Sequence, residues 1–448
     1  MPLPENPLPK HQLARLILIQ EIRGLLLSPA LWIMLIIVSL LVGYSFLQAV
    51  SLFSQASHTA LSFPEMASGM NPLEGIFVPT FGAYYLSQTL LLPFVAIRLI
   101  GLDKQNGTLK LLLQLPLSPL ALCGLKITAM GLVWLLSLLP AASALILWHN
   151  LGGHMYLPEI AILLAGHGLY SLTVITIAMF AATVSDSLPT AAMFCLAATL
   201  GSWVLDFAAS GQSGLLSTLG RVSLTNMLRQ FENGLLATDY VISFLTLALF
   251  FFLLTAIWLH PGQRLFLKIG KSSAAMLLLC IIEVSTVLAP QYLDVTENQR
   301  HSFNPADSRA LQKLNRPLTI TIHLDPQDSR LLDLEQDVLA KLRRSVPKLN
   351  IQYAEIKSGG LFGAPESDNY GLIQYGYRGQ HEQSYSNSQN EILPIIYKLA
   401  KLRVVPDPVP TYRGHPLVAE VTESRWWFYI FLPFLFLCAA VYGRKGKW

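Results

Sequence analysis

Charge is scarce in this chain. Asp, Glu, Lys and Arg supply 13% of its 448 residues against 53% hydrophobic residues, and the mean hydropathy is +0.48. That composition excludes an ordinary soluble protein and points to one embedded in a membrane. Cysteine is scarcer still: Cys123, Cys195, Cys280 and Cys438 all lie in or beside apolar segments, which leaves no disulfide framework and no cysteine-based metal site to expect. Gly-x-Ser-x-Gly, Cys-x-x-Cys and His-Glu-x-x-His strings are missing, so no catalytic residue is assigned and the chain is read as a non-enzyme. A phosphate-binding loop is missing too. The string LFLKIGKS, Leu265 to Ser272, ends like one, but Leu265 stands where the first glycine must be, and without it the backbone cannot wrap phosphates. Lys268 and Lys271 are therefore read as anchors at the membrane surface.

The charge that is present is unevenly placed. Of the 58 charged residues, 32 fall between Pro290 and Arg425, split evenly between acid and base, so one polar domain interrupts a membrane protein and nothing favours nucleic acid as its partner. Apolar runs predict eight spans, near Ala30 to Val50, Thr80 to Ile100, Leu120 to Trp148, Pro158 to Val184, Leu188 to Ala208, Tyr240 to Leu259, Ser273 to Ala289 and Trp426 to Tyr442. Residues Pro9 to Leu27 mix basic and apolar positions and predict a helix lying on the inner face. Ser51 to Pro79 reads as an external loop, and SLTNMLRQFENGLL, within the loop from Gly211 to Asp239, as a surface helix. Segments assigned to the cytoplasm hold 11 basic residues (Lys10, Arg15, Arg23, Lys104, Lys110, Arg264, Lys268, Lys271, Arg444, Lys445 and Lys447) against Arg221 and Arg229 outside. By the positive-inside rule both termini face the cytoplasm and the polar domain faces out.

In the polar domain, Thr319 to Leu324, Leu349 to Ile356 and Gly371 to Tyr377 predict strands, and Ser329 to Leu342 and Asn390 to Leu402 predict helices, an α/β pattern. The expected architecture is a membrane all-α bundle with an inserted extracytoplasmic α/β domain between the seventh and eighth helices. Its parts are an interfacial helix (1–29), a six-helix unit (30–260), a cytoplasmic loop and seventh helix (261–290), the outer domain (291–425), and an eighth helix with a basic tail (426–448).

The stretch LLPFVAIRLIGLDKQNGTLKLLLQLPLSPLALCGLKI, Leu91 to Ile127, is a polar, basic interruption between two apolar runs. Leu109, Leu112, Leu113 and Leu115 make a short apolar face, and Pro116 removes a backbone donor and is expected to end the helix. Periodicity alone favours an ordinary interfacial helix over a knob for a partner's groove. Gly107, Thr108, Leu109, Leu111, Leu112, Leu113, Pro116, Leu117, Ser118, Gly124 and Lys126 resemble the coupling loop of ABC-2 type permeases, the membrane subunits of ATP-binding-cassette exporters. Asp103 and Lys104 stand where that family carries an acidic and then a basic residue. Glu21, Ile22, Arg23, Ser28 and Pro29 resemble the family's entry segment. Asp294, Thr296, Arg300, Ser302, Leu311, Leu314, Pro317, Leu318 and Ile320, with Tyr385, Ser386, Ser388, Glu391, Ile392, Leu393 and Pro394, resemble the auxiliary component of gliding-motility (Gld-type) systems, here much shortened. The resemblance implies a permease acting as a homodimer or heterodimer in a bacterial-type inner membrane. It also implies a separate ATP-binding subunit that holds the ATP, no cofactor bound by the chain itself, and an outer domain that meets a substrate or an envelope protein.

Three ionisable residues inside spans are candidates for function: Glu283 in the seventh, His167 in the fourth and Arg98 near the inner end of the second. Arg98 can snorkel to the interface; Glu283 either pairs within the bundle or marks a polar path. His149 and His154 have no carboxylate or cysteine beside them and read as loop residues, so no metal site is assigned. The proline-rich stretch from Val404 to Pro416 reads as a semi-rigid strut. The charge asymmetry predicts that cysteines placed at Ser367 and Ser386 react with an impermeant thiol reagent in intact cells while one at Gln105 does not; the reverse pattern would invert the topology.

Overall fold

The structure is a computed structural model that describes residues 9–209, 215–288, 291–325, 328–354, 369–404 and 412–443. Position 367, the strut residues 405–411, the end of the expected strand at 355–356 and the basic tail 444–448 lie outside the described residues. Eight helices are long and apolar enough to cross a membrane. Two compact units emerge, one made of 1–203, 227–293 and 413–448 and the other of 204–226 and 294–412.

In the first unit, helix α1 (Lys10–Leu27) stops at Ser28, whose extended ψ of 124° is what a residue preceding proline adopts. Pro29 then opens α2 (Pro29–Ser62) at the position where its missing N–H costs nothing. With 34 residues, α2 is about 51 Å long and outruns a hydrocarbon core of about 30 Å. Most of the first half of the expected loop from Ser51 to Pro79 is therefore the outer end of this helix. Helix α3 (Leu73–Gln105) leads into the short α4 (Thr108–Leu112). Helix α5 (Pro119–Asn150) starts at Ser118, whose hydroxyl accepts from the Ala121 N–H at 3.2 Å. Helices α6 (Leu157–Val184) and α7 (Leu188–Ala209) follow.

Helix α8 (Leu224–Glu232) departs from its expected surface position. Met227, Leu228 and Phe231 are buried, and Phe231 lies so close over Gly166 of α6 that a Cβ there would overlap it. The helix is there as expected, but it packs in a groove of the bundle and not at the surface. Next come α9 (Thr238–Leu259) and α10 (Leu265–Leu288), so the loop expected at 261–272 shrinks to a turn.

The second unit contains a four-stranded sheet of order β2-β1-β3-β4, from β1 (Leu318–Ile322), β2 (Leu349–Tyr353), β3 (Ile373–Tyr377) and β4 (Gln380–Ser384). Alternation in LTITI buries Leu318, Ile320 and Ile322 on one face. Against that face pack α11 (Pro305–Gln312), the helical stretch α12 (329–345) and α13 (Gln389–Ala400), through Leu311, Leu334, Val338, Leu342, Ile392 and Ile396. Strands β1 and β2 run parallel, while β3 is antiparallel to both β1 and β4. Arg378 and Gly379 have φ of 53° and 76°, the two positive values that a two-residue hairpin turn demands. At the start of this unit, Asp294 accepts from the Thr296 amide at 3.1 Å and the His301 amide at 2.9 Å, and Thr296 Oγ1 accepts from the Arg300 amide at 3.1 Å. The Asp-x-Thr and Arg positions of the resemblance are thus the corners of one hydrogen-bonded turn.

The chain returns to the first unit as an extended strap. His415 N–H donates to Met70 O at 2.8 Å, Leu417 N–H to Ser57 Oγ at 3.0 Å and Ala419 N–H to Ser54 Oγ at 3.1 Å, fixing the strap to the C-terminal part of α2 and the residues after it. Helix α14 (Ser424–Tyr442) then descends along α2. Phe428 sits directly over Gly43, and its carbonyl accepts from Ser39 Oγ at 2.9 Å where the helix widens over Trp427–Phe431. Replacing Gly43 with Val puts a side chain into the Phe428 ring and is expected to cost about 1–3 kcal/mol. The check is thermal unfolding in detergent; an unchanged midpoint would show that the close approach is not needed.

Candidate functional site

Three helices are held together by one buried cation. Lys126 lies seven residues into α5, about 10 Å from its start, and its side chain is fully buried. An ammonium has three hydrogens and no acceptor, and each hydrogen here has a partner: Glu21 Oε1 at 2.5 Å, Asp103 Oδ2 at 2.7 Å and the Leu99 carbonyl at 2.7 Å. Glu21 comes from α1 and Asp103 and Leu99 from α3, so three helices distant in sequence meet at one nitrogen. Two carboxylates face a single ammonium, which leaves an excess negative charge. Burial pushes the Glu21 carboxyl above its ordinary range, Lys126 pulls it back, and Asp103 adds to the rise.

The next residue of α3 turns the other way. Lys104 donates to the Ser185 carbonyl at 2.8 Å and the Thr183 carbonyl at 3.2 Å, with Asp186 Oδ1 at 3.5 Å. Those carbonyls end α6, where a cation meets the negative pole of the helix. Asp103 and Lys104 are about 100° apart around α3 and so clamp its end on two sides.

Past this clamp, Gly107 has a φ of 76°, and a Cβ at that point would meet nothing, so the requirement is conformational and not one of space. The left-handed turn redirects the chain into α4, which starts at Thr108. Leu109 is buried, Leu112 and Leu113 are half-buried, and Leu111 is 65% exposed. The face expected to meet a partner is thus largely taken up by the chain itself, and Leu111 is the apolar residue left outward. Pro116 is not the stop. The helix ends at Leu112, and turns from the Gln114 and Leu115 amides to Leu111 and Leu112 precede the exposed proline.

The intramembrane candidates occupy separate places. Arg98 is half-buried on α3, and its Nε has no hydrogen-bond partner. His167 is fully buried between the Phe81 and Tyr84 rings, with Nε2 3.3 Å from Glu232 Oε1 but no well-directed hydrogen bond at either ring nitrogen. Around it run Tyr84 OH to Ser137 Oγ at 2.8 Å and Thr89 Oγ1 to Tyr170 OH at 2.6 Å, a polar seam between α3, α5 and α6. Glu283 is half-buried and takes hydrogen bonds from Ser243 Oγ at 2.6 Å and Thr246 Oγ1 at 2.7 Å, both on α9. Because α10 already begins at Leu265, Glu283 stands in its last third. His154 stacks on His415, ring centroids 3.6 Å apart, and its ring partner is not the neighbouring His149. Lys268 donates to the Trp258 carbonyl at 2.9 Å, fastening the α9–α10 turn.

Lys126 is the residue that sequence reasoning undervalued. It entered only as one letter of a motif, although a lysine inside an otherwise uncharged span was itself a signal of a buried partner. Removing it strands two carboxylates, so Lys126→Met is expected to cost about 3–5 kcal/mol. Glu21→Gln keeps an oxygen for the ammonium and removes the excess charge, and should cost much less. Thermal unfolding of the two variants checks the order; equal damage from both would refute this account of the charges.

No protein-family model, curated protein or solved structure matches the chain.

Proposed function

We propose that this protein is the permease subunit of an ABC-2 type exporter, worked by a separate ATP-binding subunit that docks on the loop around α4. The observation that carries this reading is the convergence on Lys126 of Glu21 and Asp103. Three positions singled out by the coupling-loop and entry-segment resemblance, more than a hundred residues apart at their extremes, share one buried charge cluster. A loop clamped in this way cannot move alone. A push on α4 is carried through Asp103 to α1 and α5, and through Lys104 to the end of α6, so that closure of the ATPase would reach four helices of the bundle at once. In this reading the loop and termini face the cytoplasm of a bacterial-type inner membrane, and two permeases form the pore. The 294–412 unit is then an extracytoplasmic Gld-type domain that handles substrate or an envelope partner.

A second reading, an envelope assembly or motility component that passes ATP-driven motion outward without solute flux, is supported by the strap at 415–419. Its bonds to Ser54, Ser57 and Met70 tie the chain leaving the second unit directly to the outer end of α2 and the residues after it. Solute-stimulated ATPase activity favours the exporter; ATP-dependent remodelling of an envelope protein without flux favours the second reading.

Leu111 is the side chain through which the partner is tested. If it fills a groove on the ATPase, its burial is worth about 1.5–3 kcal/mol. Leu111→Asp is then expected to weaken capture of the ATPase about tenfold or more while leaving insertion and thermal stability intact. Leu112→Asp, at a half-buried position, should lower stability as well. Pull-down of the native ATP-binding subunit with the full chain checks this, and undiminished capture by the Leu111 variant would sink the docking assignment.

A further inference from the structure

Helix α10 carries a carboxyl group in an otherwise apolar wall. Ile281 and Val284, on either side of Glu283, are 57% and 63% exposed, so this part of the helix faces the surroundings and not the core. Glu283 lies about 18 Å along the helix from Lys271 and about 8 Å from its end at Leu288, inside the span. An ionised carboxylate at that depth is costly, and no cation stands against it among the described residues. Its partners are two hydroxyls.

The hydrogens around Thr246 decide what state the carboxyl takes. Thr246 Oγ1 is 2.8 Å from the Ile242 carbonyl, 3.2 Å from the Ser243 carbonyl and 2.7 Å from Glu283 Oε1. Carbonyls and ionised carboxylates only accept, and a hydroxyl has one hydrogen to give. With Glu283 ionised, that hydrogen must serve either the helix backbone or the carboxylate, and one short contact is left without a hydrogen. With Glu283 neutral, its own O–H donates to Thr246 Oγ1, Thr246 passes its hydrogen to the backbone carbonyls, and Ser243 Oγ donates to Oε2 at 2.6 Å. Each short side-chain contact then has a hydrogen of its own.

We propose that Glu283, seated on Ser243 and Thr246, is a reversible proton-binding site inside the membrane-spanning bundle, open to the apolar side of α10. It does not rest on the exporter reading. The groups facing it are few. On α10, Cys280 is one turn inward, with Lys268 and Lys271 at the far end; on α9, the helix packed against it, Asp239 and Tyr240 lie in the first turn, outward of Ser243.

The test uses the full chain in its native membranes and the apolar reagent dicyclohexylcarbodiimide. It reacts with a protonated carboxyl: the acid proton moves to a carbodiimide nitrogen, the carboxylate oxygen bonds to the central carbon, and the adduct rearranges to a stable N-acylurea read by mass spectrometry. Labelling is expected at Glu283, absent in Glu283→Gln, and falling as the pH is raised. Absence of labelling in the unaltered chain, or labelling independent of pH, overturns the proposal. Suppression by sodium ions at fixed pH also overturns it, since the three side chains would then hold a metal cation and not a proton.

Discussion

Burying the Lys126 ammonium is the constraint from which the packing of α1 and α3 against α5 follows. Taking a cation out of water costs several kcal/mol even after relaxation, and only a full set of well-placed acceptors offsets it. Three acceptors are supplied, by α1 and α3, and the geometry leaves no freedom in how those helices approach α5. Apolar packing is tolerant of sliding and rotation, whereas an ion held at 2.5 to 2.7 Å by three oxygens is not. The interfacial helix, which has few buried residues of its own, therefore gets its position from a charge at its middle and from the Ser28-Pro29 break at its end.

That constraint explains why the loop after α3 can be both short and rigid. Asp103 faces Lys126 and Lys104 faces the end of α6, so the chain leaves α3 already fixed on two sides. Gly107 then needs only one left-handed residue to turn it. What remains for contact with another protein is small: α4 spends Leu109 and much of Leu112 and Leu113 on its own chain and leaves Leu111 outward.

Much of this was legible in the sequence, and the failures have physical causes. The eight spans were readable because a membrane demands about twenty apolar residues in a row. Their ends were not, because α2 continues past the hydrocarbon thickness and α10 starts among lysines that a helix tolerates as well as a loop does. Strands β1, β2 and β3 announced themselves by alternation. Strand β4, QHEQS, did not, since it is an edge strand whose polar side chains face solvent, and only the Arg-Gly turn before it and its pairing with β3 define it. Helix α8 was expected, but a local sequence is silent on whether a groove is waiting for it. Among site residues, the motif listed Asp103 and Lys126 together, yet nothing in it said that Lys126, on another helix, is the partner Asp103 meets. The closing distance is a tertiary fact.

The two ionisable clusters in the bundle solve the same problem by opposite means. Lys126 is enclosed, so its charge is kept and balanced by carboxylates brought from elsewhere in the chain. Glu283 is on an open wall, where no neighbouring cation is available, and its two hydroxyl partners can serve either protonation state but satisfy every contact in only one of them. A charge that must persist is held by a network linking three helices, and it fixes their relative position. Glu283, by contrast, is held by two side chains of a single neighbouring helix, so its contacts tie α10 to α9 alone and do not link three helices.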